Sequence, residues 1–355
     1  MKIAQIAPLY EAVPPRLYGG TERVVASLCD ALTGLGHEVV LFAAADARTR
    51  ARLVAVRPQA LRLDPNPLKS DAAAHLSMLH EVREQAAKFD VLHFHTDLLH
   101  FPLFEDLAQH TITTLHGRLD LADLQGALAR WPQFGLVSIS GAQRGPIPDA
   151  NWLATVKHGL PPELYRPPRS PSGNYLAFLG RVSPEKRVDL AIQLAIRAKI
   201  PLKIAAKVDA ADAAYFETVV KPLLTHPLVE FIGEIGDTAK SEFLGNARAL
   251  LFPIDWPEPF GLVMIEAMAC GTPVLAWNRG SVPEIIDSGV SGYILNSEEE
   301  AISAIRRAPE LNRRRIRGIF EQRFTARAMG EAYVKVYEQI CRHKQTQREP
   351  VRRVS

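Results

Sequence analysis

Short apolar segments alternate with helical segments twice along this chain of 355 residues, and this alternation restricts the folds open to it. The first series begins at Lys2–Pro8 and continues through Glu38–Ala43, Asp90–His95, Thr111–Leu115 and Gly135–Ser140. These segments are rich in Val, Ile and Leu and too short for typical helices, which is characteristic of buried parallel strands. The pattern predicts an α/β fold built on doubly wound sheets.

A proline-rich segment over residues 160–173 interrupts the pattern. Proline fixes its own φ and restricts the residue before it, so this segment is predicted to be a stiff linker. The alternation then restarts at Tyr175–Gly180 and continues through Leu202–Ala206, Val229–Ile232 and Ala249–Pro253. Two series joined by a linker predict two domains.

Ligands of doubly wound sheets bind beyond the carboxyl ends of the strands, so two facing Rossmann-like domains would share an interdomain cleft. The series and the linker also set the expected domain boundaries. We predict a first domain at 1–165, a second at 166–324, a C-terminal helix at 325–343 packing back toward the first domain, and a basic tail at 344–355.

Composition argues against several classes of protein. The net charge of +3 gives no general reason to expect a nucleic-acid partner. The three cysteines are far apart, which argues against a disulfide framework or a zinc site and fits a reducing cytoplasm. No stretch approaches the ~18 apolar residues of a membrane span. We expect a cytoplasmic protein.

Basic residues are in excess from Arg306 onward, with runs at Arg313–Arg315 and Arg352–Arg353. A solvated helix face followed by a frayed tail explains this excess. The alternative is peripheral contact with the anionic inner face of a membrane or with an acidic acceptor. No aromatic residues interleave with these charges, so nucleic acid is not expected there.

Glycines follow the first predicted strand, in the sequence Tyr18-Gly19-Gly20-Thr21. Thr21 can cap a helix running to about Leu32. Glycine lets the backbone approach a ligand, and a helix N-terminus offers N–H groups to a phosphate. A tight turn between strand and helix explains the same residues, and the segment is not a dinucleotide fingerprint.

Two cations follow the first strand of the second series. Arg181 lies on the predicted loop, and Lys186 lies in the first turn of a helix predicted over Pro184–Ala198. A helix N-terminus disfavours a cation, so Lys186 at that position suggests a bound anion such as a pyrophosphate. Two solvated surface charges are the alternative interpretation.

The segment from Glu258 to Glu266 is the most informative part of the sequence. A loop rich in proline and aromatic residues leads into a helix that begins at about Phe260. Glu258 lies just outside the N-terminus of that helix, and Glu266 lies within it among apolar residues. A carboxylate in such surroundings requires hydrogen-bond donors, and a ribose diol supplies two. A structural ion pair is the alternative interpretation of Glu266.

Several histidines lie near strand ends. His116 follows the strand Thr111–Leu115, where it could contact a ligand or only a neighbouring loop. His93, His95 and His100 surround another strand end, but without a helical HxxxH pair they make a weak case for a metal site. Asp97 could instead contact an acceptor hydroxyl.

The run EPFGLVMIEAMACGTPV, beginning at Glu258, resembles the donor-site signature of family-four retaining glycosyltransferases of the GT-B fold. RGSVPEII from Arg279, YGGTERV from Tyr18 and GRVSPEK from Gly180 are similar to other segments of that family. The resemblance extends from Met1 to about Glu338. One departure is visible, since the family often has glycine where this chain has Arg187. This difference concerns the local shape of the loop more than the role of Lys186.

The resemblance implies a role for each matching position. Arg181 and Lys186 would neutralise the donor pyrophosphate, and Glu266 would hold the ribose hydroxyls. Glu258, with the N–H groups of Phe260, Gly261 and Leu262, would orient the transferred sugar. Gly19 and Gly20 would approach the donor phosphates, His116 would lie near the donor sugar, and Phe231–Ile235 would contact the nucleotide base.

The function that follows is retaining transfer of a sugar from a nucleotide diphosphate sugar to a hydroxyl of a glycan, lipid or small molecule. A UDP-sugar is the first candidate for the donor and GDP-mannose the second. No cofactor is expected, and no Asp-x-Asp metal motif occupies an equivalent loop. The alternatives are a nucleotide-sugar epimerase of the same fold and a non-catalytic nucleotide-sugar binding protein.

Overall fold

The computed structural model describes residues 1–348, with side chains described through Arg342. The chain divides into two compact units. Among the described residues, unit 1 consists of residues 1–159 and 326–348, and unit 2 consists of residues 160–325. Each unit is an α/β structure with its own core and its own parallel sheet. The α/β class with two parallel sheets is the class predicted from the alternating pattern.

The sheet of unit 1 has seven parallel strands among the described residues, in the order β3-β2-β1-β4-β5-β6-β7. Strands β1, β4 and β5 are neighbours, so their carboxyl ends lie together at one edge. His95 follows β4 and His116 follows β5 at this edge. The strands are β1 (Lys2–Ile6), β2 (Glu38–Ala44), β3 (Arg52–Arg57), β4 (Val91–Phe94), β5 (Thr111–Thr114), β6 (Gly135–Ser138) and β7 (Trp152–Thr155).

Helices connect and cover this sheet: α1 (Gly20–Gly34), α2 (Asp71–Gln85) and α3 (Ala122–Leu128). Helix α1 begins at Gly20, so Thr21 lies inside its first turn and is not the cap that the sequence predicted. In α2 the Ser70 side chain accepts a hydrogen bond from the backbone N–H of Ala73, which fixes the start of the helix.

The last helix of the chain, α11 (Ala326–Arg348), also belongs to unit 1. It packs against α1 at Gly330, where an added Cβ would lie only 3.1 Å from the Cβ of Ala31. Its Tyr333 and Tyr337 are completely buried and form hydrogen bonds inside the unit. Helix α11 is therefore part of the core of unit 1.

The sheet of unit 2 has six parallel strands among the described residues, in the order β10-β9-β8-β11-β12-β13. The order reverses between β8 and β11, which is the position where such sheets bind ligands. The strands are β8 (Leu176–Val182), β9 (Leu202–Val208), β10 (Val229–Gly233), β11 (Ala249–Phe252), β12 (Val274–Trp277) and β13 (Gly292–Leu295).

Helices accompany this sheet on the chain between its strands and after them. In α9 the Ser297 side chain caps the N-terminus, three glutamates occupy the first turn, and two arginines occupy the last. The helices are α4 (Val188–Ala198), α5 (Ala213–Tyr215), α6 (Asp237–Gly245), α7 (Leu262–Ala269), α8 (Val282–Ile285), α9 (Glu298–Arg307) and α10 (Arg313–Arg323).

The division between the units differs from the predicted boundary at residue 165, because the chain joins unit 2 at Leu160. Leu160 donates a backbone hydrogen bond to Phe324, and Tyr165 bonds to Asp237 within unit 2. Several elements were not predicted from the sequence. They are the strands β3, β7 and β13 and the helices α3, α8 and α10.

The basic run at Arg313–Arg315 is only partly the solvated face that the sequence suggested. Arg313 is half-buried and donates hydrogen bonds to the carbonyls of Gly245 and Ala247, whereas Arg314 is exposed. Residues 349–355, which include most of the predicted basic tail, lie outside the described residues. Within the described part of the chain, none of the helices combines the length and apolar character needed to cross a membrane.

Candidate functional site

Unit 2 brings Lys186 and Glu258 together. The Lys186 Nζ donates to Oε2 of Glu258, and both side chains are largely buried. The same Oε2 atom accepts a hydrogen bond of 3.0 Å from the indole Nε1 of Trp256. The ammonium also lies 4.9 Å from the centre of the Trp256 ring, where the π face stabilises a cation. The predicted cation and carboxylate are thus direct partners.

Lys186 does not lie in the first turn of a helix, as the sequence had predicted. It ends a short 3₁₀ turn over Pro184–Lys186, and α4 begins only at Val188. Arg187 separates them in the left-handed region with φ 54°. Lys186 therefore does not oppose the dipole of α4 from within its first turn. The position of Lys186 rests on its contact with Glu258 instead.

The structure shows the shape of the loop at Arg187, where the chain departs from the family pattern. The family often has glycine there, and the backbone of Arg187 adopts the left-handed conformation that glycine favours. A residue with a Cβ pays about 1–2 kcal/mol for this conformation. The Arg187 guanidinium bonds to Asp189, with Nε 3.1 Å from Oδ1. The loop thus keeps a glycine-like shape despite the substitution.

Gly261 and α7 form the second part of the unit 2 site. Gly261 precedes the helix with φ 77°, a left-handed conformation that lets the chain turn directly from the Glu258 loop into α7. The helix begins at Leu262, two residues later than predicted, so Phe260 and Gly261 lie before it. The first N–H groups of a helix have no partner within it, and they carry a partial positive charge beside Glu258.

Gly280 and Ser281 pack against the backbone of Glu258. Ser281 donates its N–H to the carbonyl oxygen of Glu258 at 2.9 Å. A Cβ added at Gly280, which has φ 51°, would lie 2.4 Å from both the nitrogen and the oxygen of Glu258. The segment after β12 therefore fixes the position of the Glu258 loop.

Glu266 is buried in α7, as its apolar neighbours predicted, and it has protein donors of its own. Its Oε1 atom accepts from Lys240 Nζ at 3.2 Å and from the Tyr165 hydroxyl at 3.2 Å. The Tyr165 hydroxyl also lies 2.7 Å from Oδ1 of Asp237. Glu266 is therefore a carboxylate with part of its bonding capacity directed to the protein.

Arg181 lies inside the carboxyl-terminal end of β8 and not on the loop predicted after it, and its guanidinium faces carboxylates. Its Nη2 lies 2.7 Å from Glu185, its Nε lies 3.6 Å from Asp212, and its Nη1 lies 3.9 Å from Asp209. The positive charge of Arg181 is thus balanced within the protein. A phosphate could reach this guanidinium only by competing with these carboxylates.

Unit 1 contains a cavity of about 800 Å³ at the carboxyl ends of its central strands. Gly19 and Gly20, at the start of α1, line it together with His116, which follows β5. Three of the predicted site residues therefore share one cavity. Its lining also includes Tyr10, Glu22, Arg62, Thr96, Asp97 and Trp131. We refer to it as the unit 1 cavity.

The start of α1 is occupied by a carboxylate of its own helix. Glu22 is buried in the first turn and accepts a hydrogen bond from its own backbone N–H. Burial raises the pKa of the Glu22 carboxyl. Arg62, a cation lining the same cavity, lies 3.1 Å from Glu11. A phosphate at the N-terminus of α1 would have to compete with Glu22.

The histidines of unit 1 form a hydrogen-bonded cluster. His95 Nδ1 lies 2.8 Å from His116 Nε2, and His95 Nε2 lies 2.8 Å from the Gln5 side-chain oxygen. His93 bonds to Thr114 and Tyr337. Burial lowers the pKa of His93 and His95 well below the usual range and that of His116 to about 3. All three are therefore neutral at neutral pH.

This bonding differs from that of a metal site. His93 and His95 direct their ring nitrogens to protein partners, and His100 stacks on Phe94 with its Nε2 atom 3.1 Å from Thr113. Among the residues that the structure describes, no group of three or more His, Cys, Asp or Glu side chains is arranged to hold a metal ion. The histidines are instead a structural network that reaches the unit 1 cavity.

Sequence reasoning missed the partners that complete both sites. Tyr165 and Lys240 contact Glu266 from positions 101 and 26 residues away in the chain. Gln5 reaches His95 across 90 residues. The sequence offered only weak signals for these partners. Lys240 is a charged residue in a helix, and Gln5 is a polar residue in an otherwise apolar strand.

Two family models match the chain. The model described as glycosyl transferases group 1 matches residues 166–321, and the model described as Glycosyltransferase Family 4 matches residues 18–176. Together they span both units. This chain is a family-4-like glycosyltransferase. The resemblance noted from the Glu258 segment is confirmed.

A curated relative shares part of the sequence. D-inositol 3-phosphate glycosyltransferase of Mycobacterium leprae is 33% identical over 134 residues, which cover 35% of this glycosyltransferase. The match spans only 29% of the length of that relative. It supports the family and leaves substrates open.

Solved structures share the fold over nearly the whole chain. Sucrose-phosphate synthase from Thermosynechococcus elongatus has a TM-score of 0.75 at 20% identity, covering 96% of this chain and 99% of its own. Alr3699/HepE of Anabaena, in complex with UDP and glucose, has a TM-score of 0.71 at 19% identity, covering 95% and 99%. These matches confirm the predicted GT-B fold.

Proposed function

We propose that this glycosyltransferase moves a hexose from a nucleotide diphosphate sugar to a hydroxyl acceptor, with retention of the anomeric configuration and without a metal ion. The observation that carries the proposal is the buried pair of Lys186 and Glu258 beside the start of α7. A cation, a carboxylate and a helix N-terminus that lie close together suit a ligand that combines phosphate with sugar hydroxyls.

A UDP-sugar is our first proposal for the donor. A solved structure with the same fold, that of Alr3699/HepE, is a complex with UDP and glucose. GDP-mannose is the second proposal. We place the base near Phe231–Ile235, which includes the end of β10, and the ribose hydroxyls at Glu266.

The chemistry requires stabilisation of a departing nucleoside diphosphate. We assign this to Lys186 and Arg181, with the N–H groups at the start of α7, because preorganised charges act strongly in a site that excludes water. Glu258, with the N–H groups of Phe260, Gly261 and Leu262, would orient the transferred sugar. Retention follows if the acceptor attacks from the face that the phosphate leaves.

Donor binding would exchange partners within unit 2. Lys186 is paired with Glu258, and Arg181 faces Glu185, Asp209 and Asp212. A pyrophosphate brings enough negative charge to compete for both cations. Glu258 would then accept hydrogen bonds from sugar hydroxyls in place of the ammonium, so the ligand replaces the internal ion pair.

In unit 1 we assign Gly19, Gly20 and His116 to substrate contact, because they line one cavity. The acceptor would be a hydroxyl of a glycan, lipid or small molecule. A cytoplasmic location and peripheral contact with the inner membrane face remain our proposals.

The experiment is to incubate the purified protein with UDP-glucose, UDP-galactose and GDP-mannose, each with a pool of hydroxyl acceptors and with EDTA. We expect transfer, and NMR of the product should show the anomeric configuration of the donor. Conversion of donor to another nucleotide sugar without acceptor would establish the epimerase. Binding of the nucleotide without turnover with any acceptor would establish the binding protein. Loss of transfer in EDTA, restored by a divalent ion, would overturn metal independence.

A further inference from the structure

A chain of hydrogen bonds runs from the core of unit 1 to the wall of the unit 1 cavity. The Gln5 side chain donates from Nε2 to the hydroxyl of Tyr337 at 3.0 Å, and its Oε1 lies 2.8 Å from His95 Nε2. His95 Nδ1 then lies 2.8 Å from Nε2 of His116. Gln5, His95 and Tyr337 are buried, and both His95 and His116 line the cavity.

The order of donors and acceptors fixes the protons along this chain. An amide oxygen only accepts, so His95 carries its proton on Nε2. His95 is neutral, because burial lowers its pKa, and its Nδ1 is therefore an acceptor. His116 must then donate from Nε2. Since His116 is also neutral, its Nδ1 carries no proton.

The Nδ1 atom of His116 is buried and has no hydrogen-bond partner among the described residues. A second atom in the lining shares this property, the Oγ1 of Thr96, whose residue is 5% exposed. Buried polar atoms are nearly always paired in a folded protein, so such atoms in a cavity wall call for a ligand. The proton order decides which ligand group suits His116.

The charges of the cavity lining point the same way. Glu22 and Asp97 contribute carboxylates, and Arg62 is already paired with Glu11. An anionic group in this cavity would face these carboxylates and a histidine nitrogen that offers only a lone pair. A neutral hydroxyl can donate to that nitrogen.

We propose that Gln5, acting through His95, holds His116 in the Nε2-protonated tautomer, so that His116 Nδ1 accepts a hydrogen bond from a hydroxyl of a neutral, polyhydroxylated ligand. Gln5 is thus a positioning residue that sets the specificity of a subsite it does not touch. The tautomer is independent of the proposed function, whereas the identity of the ligand as a transferase substrate rests on it. The hydroxyl belongs either to the donor sugar or to the acceptor.

The test of the tautomer uses the whole protein without ligand, labelled with ¹⁵N-histidine. Comparison with His116→Gln assigns the His116 signals. We expect an imine-type Nδ1 and a pyrrole-type Nε2 in the wild type. Gln5→Glu keeps an acceptor toward His95 and should keep this signature. Gln5→Met removes the acceptor and should introduce the Nδ1-protonated form.

The matched control is Thr113→Val. Thr113 lies on β5 next to the cluster and is completely buried, and its Oγ1 lies 3.1 Å from His100, outside the Gln5 chain. It should lose a comparable buried hydrogen bond and leave the His116 signature unchanged. A protonated Nδ1 in the wild type, or an unchanged tautomer in Gln5→Met, would overturn the proposal.

The ligand is tested separately with UDP-glucose as the probe. If Nδ1 contacts a donor hydroxyl, Gln5→Met should weaken UDP-glucose binding about tenfold relative to wild type and Gln5→Glu, with UDP binding unchanged. If it contacts the acceptor, UDP-glucose binding stays the same and kcat/KM for neutral acceptors falls about tenfold. Equal or better use of phosphorylated acceptors than of their neutral parents, or no effect of Gln5→Met in either measurement, would reject the hydroxyl subsite. An inactive protein with the expected NMR signature would contradict only the proposed function.

Discussion

Lys240 Nζ lies 3.2 Å from Oε1 of Glu266, and both side chains are buried in unit 2. Removing one member of a buried pair leaves the other charge without compensation. We expect Lys240→Met to destabilise unit 2 by about 3 kcal/mol, and Lys240→Met combined with Glu266→Leu to recover most of the loss. Urea unfolding measures both changes. Lys221→Met is the control, because Lys221 pairs with Glu217 on the exposed surface. An equal loss in the control would show that burial is not the cause.

Lys186→Ala and Glu266→Gln should separate turnover from binding. Without the Lys186 ammonium, the developing charge on the leaving group loses a stabilising cation, and kcat should fall about 100-fold or more. Glu266→Gln keeps the size of the side chain but removes its charge, and the Kd for UDP should rise about tenfold. Calorimetry and initial rates measure these effects. Arg197→Ala, which breaks a surface pair with Glu298, should change neither value. A wild-type kcat in Lys186→Ala together with a wild-type Kd for UDP in Glu266→Gln would contradict the assignment of these residues to the donor site.

Gly280→Ala should displace Glu258 without touching a ligand. The new Cβ would approach the Glu258 backbone to 2.4 Å, and we expect a loss of about 2 kcal/mol in stability together with reduced kcat. Gly289→Ala is the matched control, since Gly289 also has a positive φ but no atom within 4 Å of the added Cβ. The control should cost about 1 kcal/mol for its backbone alone and retain kcat. Thermal unfolding measures the change in stability, and initial rates measure kcat. Equal kcat values in both variants would contradict the role of Gly280.

Stability should decrease on mild acidification. Burial lowers the pKa of five histidines in the interior of unit 1 far below the value of about 6.5 that histidines have in the unfolded chain. Below pH 6.5 the unfolded chain binds more protons than the folded one, so the free energy of unfolding falls as the pH falls. The slope is up to about 1.4 kcal/mol per pH unit for each histidine. These residues are His93, His95, His100, His116 and His158.

Urea unfolding between pH 7.5 and pH 5 measures this slope. His100→Gln should reduce this slope by up to about 1.4 kcal/mol per pH unit, the contribution of one proton. The reason is that His100 is completely buried and its pKa is lowered by burial. His80→Gln should leave it unchanged, because His80 is exposed on α2. A slope that responds equally to both changes would argue against the buried neutral histidines as its source.

Much of the fold and part of the site could be predicted because their signals are local. Buried strands such as β1 and β11 show as apolar runs, and Glu258 and Glu266 bracket the start of one helix. Strand β3 escaped prediction because it lies at the edge of its sheet, where its residues are exposed or half-buried and include two arginines. An edge strand has little of the apolar pattern that reveals a central one.

The partners of the site residues could not be predicted for a different reason. Lys186 meets Glu258 across 72 residues, and Gln5 meets His95 across 90. Such contacts arise when parallel strands distant in sequence become neighbours in the sheet. The residue types do not show which distant residues become partners, so the sequence alone predicted the charges but not their neutralisation within the protein.

The placement of α11 in unit 1 has a consequence for the order of folding during synthesis. Unit 2 is continuous from Leu160 to Thr325, so the ribosome completes it before it makes Tyr333 and Tyr337. Until then Gln5 and His93 lack their tyrosine partner, and the core of unit 1 in the nascent chain is incomplete. A truncated gene ending before Ala326 should therefore yield a soluble second half attached to an aggregation-prone first half. Dissection of this enzyme would require α11 to be spliced onto residue 159.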